Sequence, residues 1–166
     1  MRRRRAGNMV VELAMWMPVL LLLISGVIQF GKITYLYYTL RKIEYSVARS
    51  VSIANGVDFC PDATDTLIQQ AIEFALTGTS DGSGTPLVWN LTPAMISVTT
   101  ECIDPGTGLP GPCDTSGCDG AAGAHRPDYV VVTIPDGYPV QLRIPYILLN
   151  PFSFKPTVAV PFGGVS

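Results

Sequence analysis

A single histidine, a charged fraction of only 14% and no formal charge between Leu13 and Phe30 bound what this 166-residue sequence can be. Soluble domains carry about 25% charged residues, so the deficit needs a cause. Basic residues cluster only at Arg2 to Arg5, which argues against a nucleic-acid partner. No G-x-S-x-G, P-loop, H-E-x-x-H or paired-carboxylate signature occurs, and one histidine leaves little for nucleophilic catalysis. His125 lies in a Gly-rich loop beside Arg126 and Pro127, a setting for a solvated side chain. What is abundant is apolar: 48% of residues are hydrophobic, too many for a disordered chain. Sixteen glycines and fourteen prolines argue against an all-helical protein, and the length suits one modest domain.

The charges are unevenly placed. Four of the eleven Lys and Arg lie in the first five residues, leaving seven against thirteen Asp and Glu, a net of −6. A basic end, an apolar run and an acidic body suggest a membrane protein with its N-terminus inside and its body outside. The run Leu13 to Phe30 is about 18 residues long, near the lower limit for a transmembrane helix. Lys32 closes it, and Tyr35, Tyr37 and Tyr38 suit the outer interface. Pro18 lies inside the run, where membrane helices tolerate it. The sequence after the run, GVIQFGKITYLYY, has no A-x-A-like pair and so does not read as an ordinary signal-peptidase site. A different site precedes the run. Cutting after Gly7 removes the arginines, makes Asn8 the first residue and leaves Glu12 fifth. A glutamate at the edge of a span is costly unless paired, and the new ammonium of a neighbouring subunit would supply the partner. The plainer alternative is a Glu12 that lies in interfacial water.

Gly7, Val11, Glu12, Leu13, Ala14, Pro18, Leu20 to Leu23, Gly26, Phe30 and Gly31 stand in register with the apolar run. This pattern resembles the TadE-like proteins of tight-adherence (Tad) pilus systems, G-x-x-x-V-E-F-A-L-x-x-P-x-L-L-L-L-x-x-G-I-x-E-F-G. The likeness continues more loosely to Ala48 and Arg49. Leu13 replaces the usual Phe and Gln29 the usual acidic residue; the site after Gly7 is intact. The resemblance implies a structural minor pilin or pseudopilin, not an enzyme, taking part in pilus assembly, surface adhesion or secretion-type machinery. It implies a prepilin peptidase acting between Gly7 and Asn8, with Glu12 as the assembly residue. The implied partners are that peptidase, other Tad pilins or pseudopilins, the inner-membrane assembly platform and the lipid bilayer. No cofactor, metal or nucleic acid is implied. The expected divisions are a cytoplasmic leader over residues 1–7, a transmembrane helix over 8–31 and an exported domain over 32–166. The expected location is the bacterial inner membrane, as a single pass with the N-terminus cytoplasmic and the body periplasmic or extracellular, or incorporated into the pilus. The alternatives are an uncleaved single-pass envelope protein with a binding domain, and a membrane-anchored enzyme using the Cys/His loop.

The expected fold is α+β and pilin-like. Leu36, Leu40, Ile43, Val47, Val51 and Ala54 form one helical stripe, so a helix from Asn8 to about Ala54, roughly 70 Å long, is predicted, with Gly56 as its stop. A second helix is expected from about Ala63 to Thr77, with Asp62 as N-cap candidate, Asp65 in the first turn and Gly78 at the C-terminal cap. Thr79 to Pro86 reads as a flexible polar loop. Strands are expected over Met95 to Cys102, Tyr129 to Ile134, Val140 to Ile144 and Lys155 to Phe162, with a turn at Asp136-Gly137. Their prolines confine them to short or edge-like pieces of a small antiparallel sheet packed on the outer half of the first helix.

Cys60, Cys102, Cys113 and Cys118 all lie beyond the span, where an exported body meets an oxidising compartment. Three pairings are possible. Cys113–Cys118 with Cys60–Cys102 is the pairing expected: the first closes a tight ring, the second ties the interhelix turn to a strand end. Cys102, Cys113, Cys118 and His125 form a rival zinc set, at separations of 11, 5 and 7. The loop over residues 103–128 is rich in Gly and Cys.

Overall fold

A computed structural model describes residues 3–57, 59, 65–113, 127–141, 143, 144, 147, 148 and 151–163, the side chains of 3–8, 143, 144, 147 and 148 excepted. The architecture is α+β. Helix α1 spans Arg3–Ile53 and α2 Thr66–Thr77. A 3-10 turn at Pro93–Met95 leads into β1, Ser97–Ile103. Then follow β2 (Pro110–Pro112), β3 (Tyr129–Thr133), β4 (Tyr138–Val140), β5 (Arg143–Ile144), β6 (Ile147–Leu148), β7 (Phe152–Phe154) and β8 (Thr157–Pro161). The chain divides into two units. One comprises Met1–Leu36 with Pro139–Phe152; the other comprises Tyr37–Tyr138 with Ser153–Ser166.

In the first unit, α1 runs unbroken through Pro18. Strands β5 and β6 pair antiparallel, Ile144 opposite Ile147. The expected single strand from Val140 to Ile144 is therefore two: β4 stops at Val140 and β5 starts at Arg143.

The second unit holds a four-stranded sheet in the order β2-β1-β3-β8, antiparallel throughout. The run YVVVT of β3 is central, as its β-branched composition predicts, with Val130 and Val132 fully buried. Both outer strands carry prolines, Pro110 and Pro112 in β2 and Pro161 in β8, as donors missing from a ladder require. The core adds Leu40, Ile43, Val47, Ala48 and Val51 from α1, Ile72, Ala75 and Leu76 from α2, and Ile134 and Val158. The chain's C-terminal run ties to α1 through Gly163, whose amide donates to the Ser52 carbonyl at 3.0 Å. Tyr37 and Phe154 stack at 5.4 Å between centroids, tilted.

Helix α2 starts later than expected. Asp65, rather than Asp62, is its N-cap, with Oδ1 accepting from the Leu67 amide at 2.7 Å. Asp62 and Ala63 lie outside the described residues. An Asp directly before a helix satisfies an amide that has no intrahelical partner, as Asp65 does for Leu67. Gly78 closes α2 at φ 80°, with its amide on the Phe74 carbonyl, as expected.

The loop from Thr79 to Pro86 is not free. Thr79 Oγ1 accepts from the Gly84 amide at 3.0 Å and meets Thr77 Oγ1 at 3.1 Å. The Ser83 hydroxyl and amide donate to Asp81 and hold its carboxyl below the usual range. Leu87 N–H then donates to the Leu76 carbonyl at 2.9 Å. Polar residues that read as a flexible loop cap the end of α2 instead.

The disulfide arrangement corrects the expected pairing. Cys102 in β1 bonds Cys113 just past β2, at a Cα–Cα distance of 4.8 Å, so neither Cys113–Cys118 nor Cys60–Cys102 forms. The cause is β2, a Pro-Gly-Pro strand that composition argues against. It folds back on β1 with Cys102 opposite Gly111, which brings Cys113 alongside Cys102. Cys60, Cys118 and His125 lie outside the described residues. Closing an 11-residue separation stabilises by about 2.5–3 kcal/mol in the chain-entropy model. A Cys102→Ser/Cys113→Ser chain is expected to lose about that much unfolding free energy, read as a lower denaturant midpoint at unchanged slope, and an unchanged midpoint would contradict it.

The Asp136-Gly137 turn forms between β3 and β4, with Gly137 N–H on the Ile134 carbonyl at 2.9 Å. Gly137 has φ 76°, and a Cβ there would meet Ser153 Cβ at 2.8 Å and the Phe154 carbonyl oxygen at 3.0 Å. Gly137→Ala therefore combines left-handed strain with overpacking, a loss of about 2–4 kcal/mol. Thermal melting of the variant chain should show it, and a loss below about 1 kcal/mol would mean the turn relaxes.

Candidate functional site: the N-terminal helix

The part of α1 in the first unit is apolar and uncovered. Met15 is 74% exposed, Val27 73% and Phe30 72%, and no residue from Met9 to Phe30 is buried. A water-soluble helix hides such a surface, so this one needs lipid or other helices around it. The helix is long and apolar enough to cross a membrane, which fits a single-pass membrane protein. Its hydroxyls are already satisfied. Ser25 Oγ donates to the Leu22 carbonyl at 3.1 Å and Thr34 Oγ1 to the Phe30 carbonyl at 3.0 Å. Such bonds spare a polar side chain an unmet donor in hydrocarbon.

Gly7 and Asn8 lie within α1, as backbone only. Glu12 follows one helical turn later and is exposed. Four residues at 1.5 Å put it about 6 Å further along the axis from Asn8, on the same face. Gly7, Asn8 and Glu12 thus share one end of one helix, whereas Cys102 and Cys113 belong to the sheet of the other unit. The disulfide takes Cys102 and Cys113 out of the rival zinc set, since neither sulfur can act as a thiolate ligand.

Beyond Leu36 the helix presents a core face that the expected stripe describes well, with one residue it omitted. Glu44 is fully buried, between Leu40 and Val47 on that face, and neither carboxylate oxygen has a hydrogen-bond partner among the described residues. Burial pushes its carboxyl up from 4.5 to about 7, against a smaller opposing pull from the Arg41 guanidinium. The signal for it was present: position 44 falls four after Leu40 and three before Val47, a core position by periodicity, occupied by a charge.

With this helix described, comparison with known proteins is informative at its N-terminal end only. A family model described as TadE-like protein matches residues 7–49, about a quarter of the chain, from the glycine before Asn8 through the buried face of α1. No curated protein matches the chain, and no solved structure does.

Proposed function

We propose that the chain is a non-catalytic structural component of a Tad-type pilus, a minor pilin or pseudopilin. The observation that carries this reading is the family match over residues 7–49, which coincides with an uncovered apolar helix leading into an α+β head. In this reading Arg2 to Arg5 stay in the cytoplasm and residues 8–31 cross the inner membrane. The domain from residue 32 onward is exported. A prepilin peptidase cuts between Gly7 and Asn8. The new ammonium of Asn8 on one subunit then pairs with Glu12 of its neighbour while the apolar helices pack together. In a low-dielectric layer such a pair is favoured because each charge alone is so costly. The span waits in the bilayer until the assembly platform takes it up, and the head contributes to pilus assembly, adhesion or a secretion-type machine.

Intact mass with N-terminal sequencing, on protein from its own host's membranes, tests the reading. The expected mature start is Asn8. A start at Met1 or Arg2 would overturn prepilin-type processing and favour an uncleaved single-pass envelope protein with a binding head.

A further inference from the structure

The second unit's part of α1 has an outward face as regular as its buried one. Tyr38, Arg41, Lys42, Tyr45 and Arg49 are all exposed. At 3.6 residues per turn they fall within one arc of about 100°, opposite Leu40, Val47 and Val51. No carboxylate among the described residues forms an ion pair with these three cations. The only acid between Glu12 and Asp58 is Glu44, which is buried on the core face beside Arg41 and makes no ion pair with it. The rest of the chain has the opposite sign: residues 50–166 hold eleven Asp and Glu against three Lys and Arg, a net of −8.

Three of those acids stand together at one end of the sheet. Glu101 is in β1, and the Asp128 amide donates to its carbonyl at 3.0 Å. Asp128 Oδ2 accepts from the Ile103 amide at 2.6 Å, and Asp104 Oδ1 from the Gly106 amide at 2.6 Å. Asp104 and Asp128 are exposed, and none of the three has a cationic partner among the described residues. Backbone amides fix two of these carboxylates in place, so their charge is presented without side-chain freedom being lost on contact.

We propose that the basic, tyrosine-bearing face of α1 docks against the Glu101, Asp104 and Asp128 end of the sheet on a second copy of this chain. Charge complementarity selects the partner, and the tyrosines add rigid contact area at low entropic cost. A lipid headgroup fits less well. Arg41 and Arg49 come ten and eighteen residues after Gly31 in the sequence, whereas a headgroup layer is only roughly 5–8 Å deep. The two surfaces differ, so the contact is heterologous and repeats head to tail instead of closing as a two-fold pair. That is the geometry a filament needs, and the proposal rests on the pilus reading in this respect. Confinement to one membrane raises the effective concentration at which the faces meet.

The test is zero-length carbodiimide coupling of the full chain in its own host's membranes, with the joined peptides identified by mass spectrometry. The expected product is a dimer linking Lys42 to Glu101, Asp104 or Asp128, suppressed at high salt. Arg41→Glu with Arg49→Glu should lower its yield about ten-fold, because like charges then face each other. Glu101→Lys with Asp104→Asn should do the same, the Asn keeping the oxygen that caps the turn. Co-expression of the two variants should restore the dimer between them, which misfolded chains would not do. Coupling of Lys42 to lipid or to a different protein, a dimer indifferent to the reversals, or no restoration would overturn the proposal. The N-terminus is read from the same sample. A mature start at Asn8 without Lys42 coupling removes the docking and leaves the pilus reading standing, whereas a start at Met1 removes the pilus reading whatever Lys42 does.

Discussion

Glu44→Leu should make the protein more stable at pH 8 by about 2–3 kcal/mol, with a gain that shrinks as the pH falls toward 4.5. In the folded chain burial pushes the wild-type carboxyl up to about 7 from its ordinary 4.5. The folded chain therefore holds its proton where the unfolded chain releases it. Glu44's contribution is most favourable below about pH 4.5, is lost progressively as the pH rises, and is fully lost above about 7. Leucine has no charge to desolvate and fills a similar volume among Leu40, Ile43, Val47 and Ala48. Glu44→Gln should recover less, because its amide stays buried at a position where no described residue offers a hydrogen bond. The check is a set of urea melts in detergent at pH 4.5, 6 and 8. The difference between variant and wild type is the readout, since groups other than Glu44 cancel in it. A difference that stays flat across that range would show that Glu44 does not titrate with folding.

Glu12→Ala is expected to leave cleavage after Gly7 intact and to lower the amount of protein in purified pili by at least about ten-fold. A charge at the centre of a bilayer helix costs about 2.5–3.5 kcal/mol on translocon scales, and even part of that, recovered by pairing, spans this factor. Glu12 sits one turn from Asn8 on an exposed face. A neighbouring helix displaced by about one turn along the axis therefore brings its ammonium level with the carboxylate. The membrane-bound amount and the mature mass should match the wild type. Immunoblots of sheared pili and of membranes, run together, separate the two effects. A variant that co-purifies with pili at the normal level would sink this role for Glu12.

The sequence was most legible where one force acts alone. The apolar run, the stripe Leu40, Ile43, Val47 and Val51, the cap at Gly78 and the central run of β3 each follow from a single periodicity or backbone preference. It was least legible where long-range pairing overrides composition. Pro110, Gly111 and Pro112 read as a loop yet form β2, because β1 offers a partner strand. Once β2 exists, Cys113 is beside Cys102, and the pairing that spacing suggested cannot form. Thr79 to Pro86 reads as a flexible polar loop because its hydroxyls have equal claims on water, and only the fold supplies Thr77 and the end of α2. Of the candidate site, Gly7 and Glu12 were visible because they interrupt or border an apolar pattern. Glu44 was passed over because a charged residue is ordinarily taken to mark the wet side of a helix.

The prolines at the margins of the sheet reach beyond its own ladder. Two of the three residues of β2 have no amide hydrogen, and β8 ends on a third proline. An incoming extended segment thus meets an outer strand that cannot answer it bond for bond. Crowded β-rich domains gel into fibrils by that route, one chain's margin templating the next. A head concentrated beside other copies of itself would thus offer its neighbours a poor template for such growth.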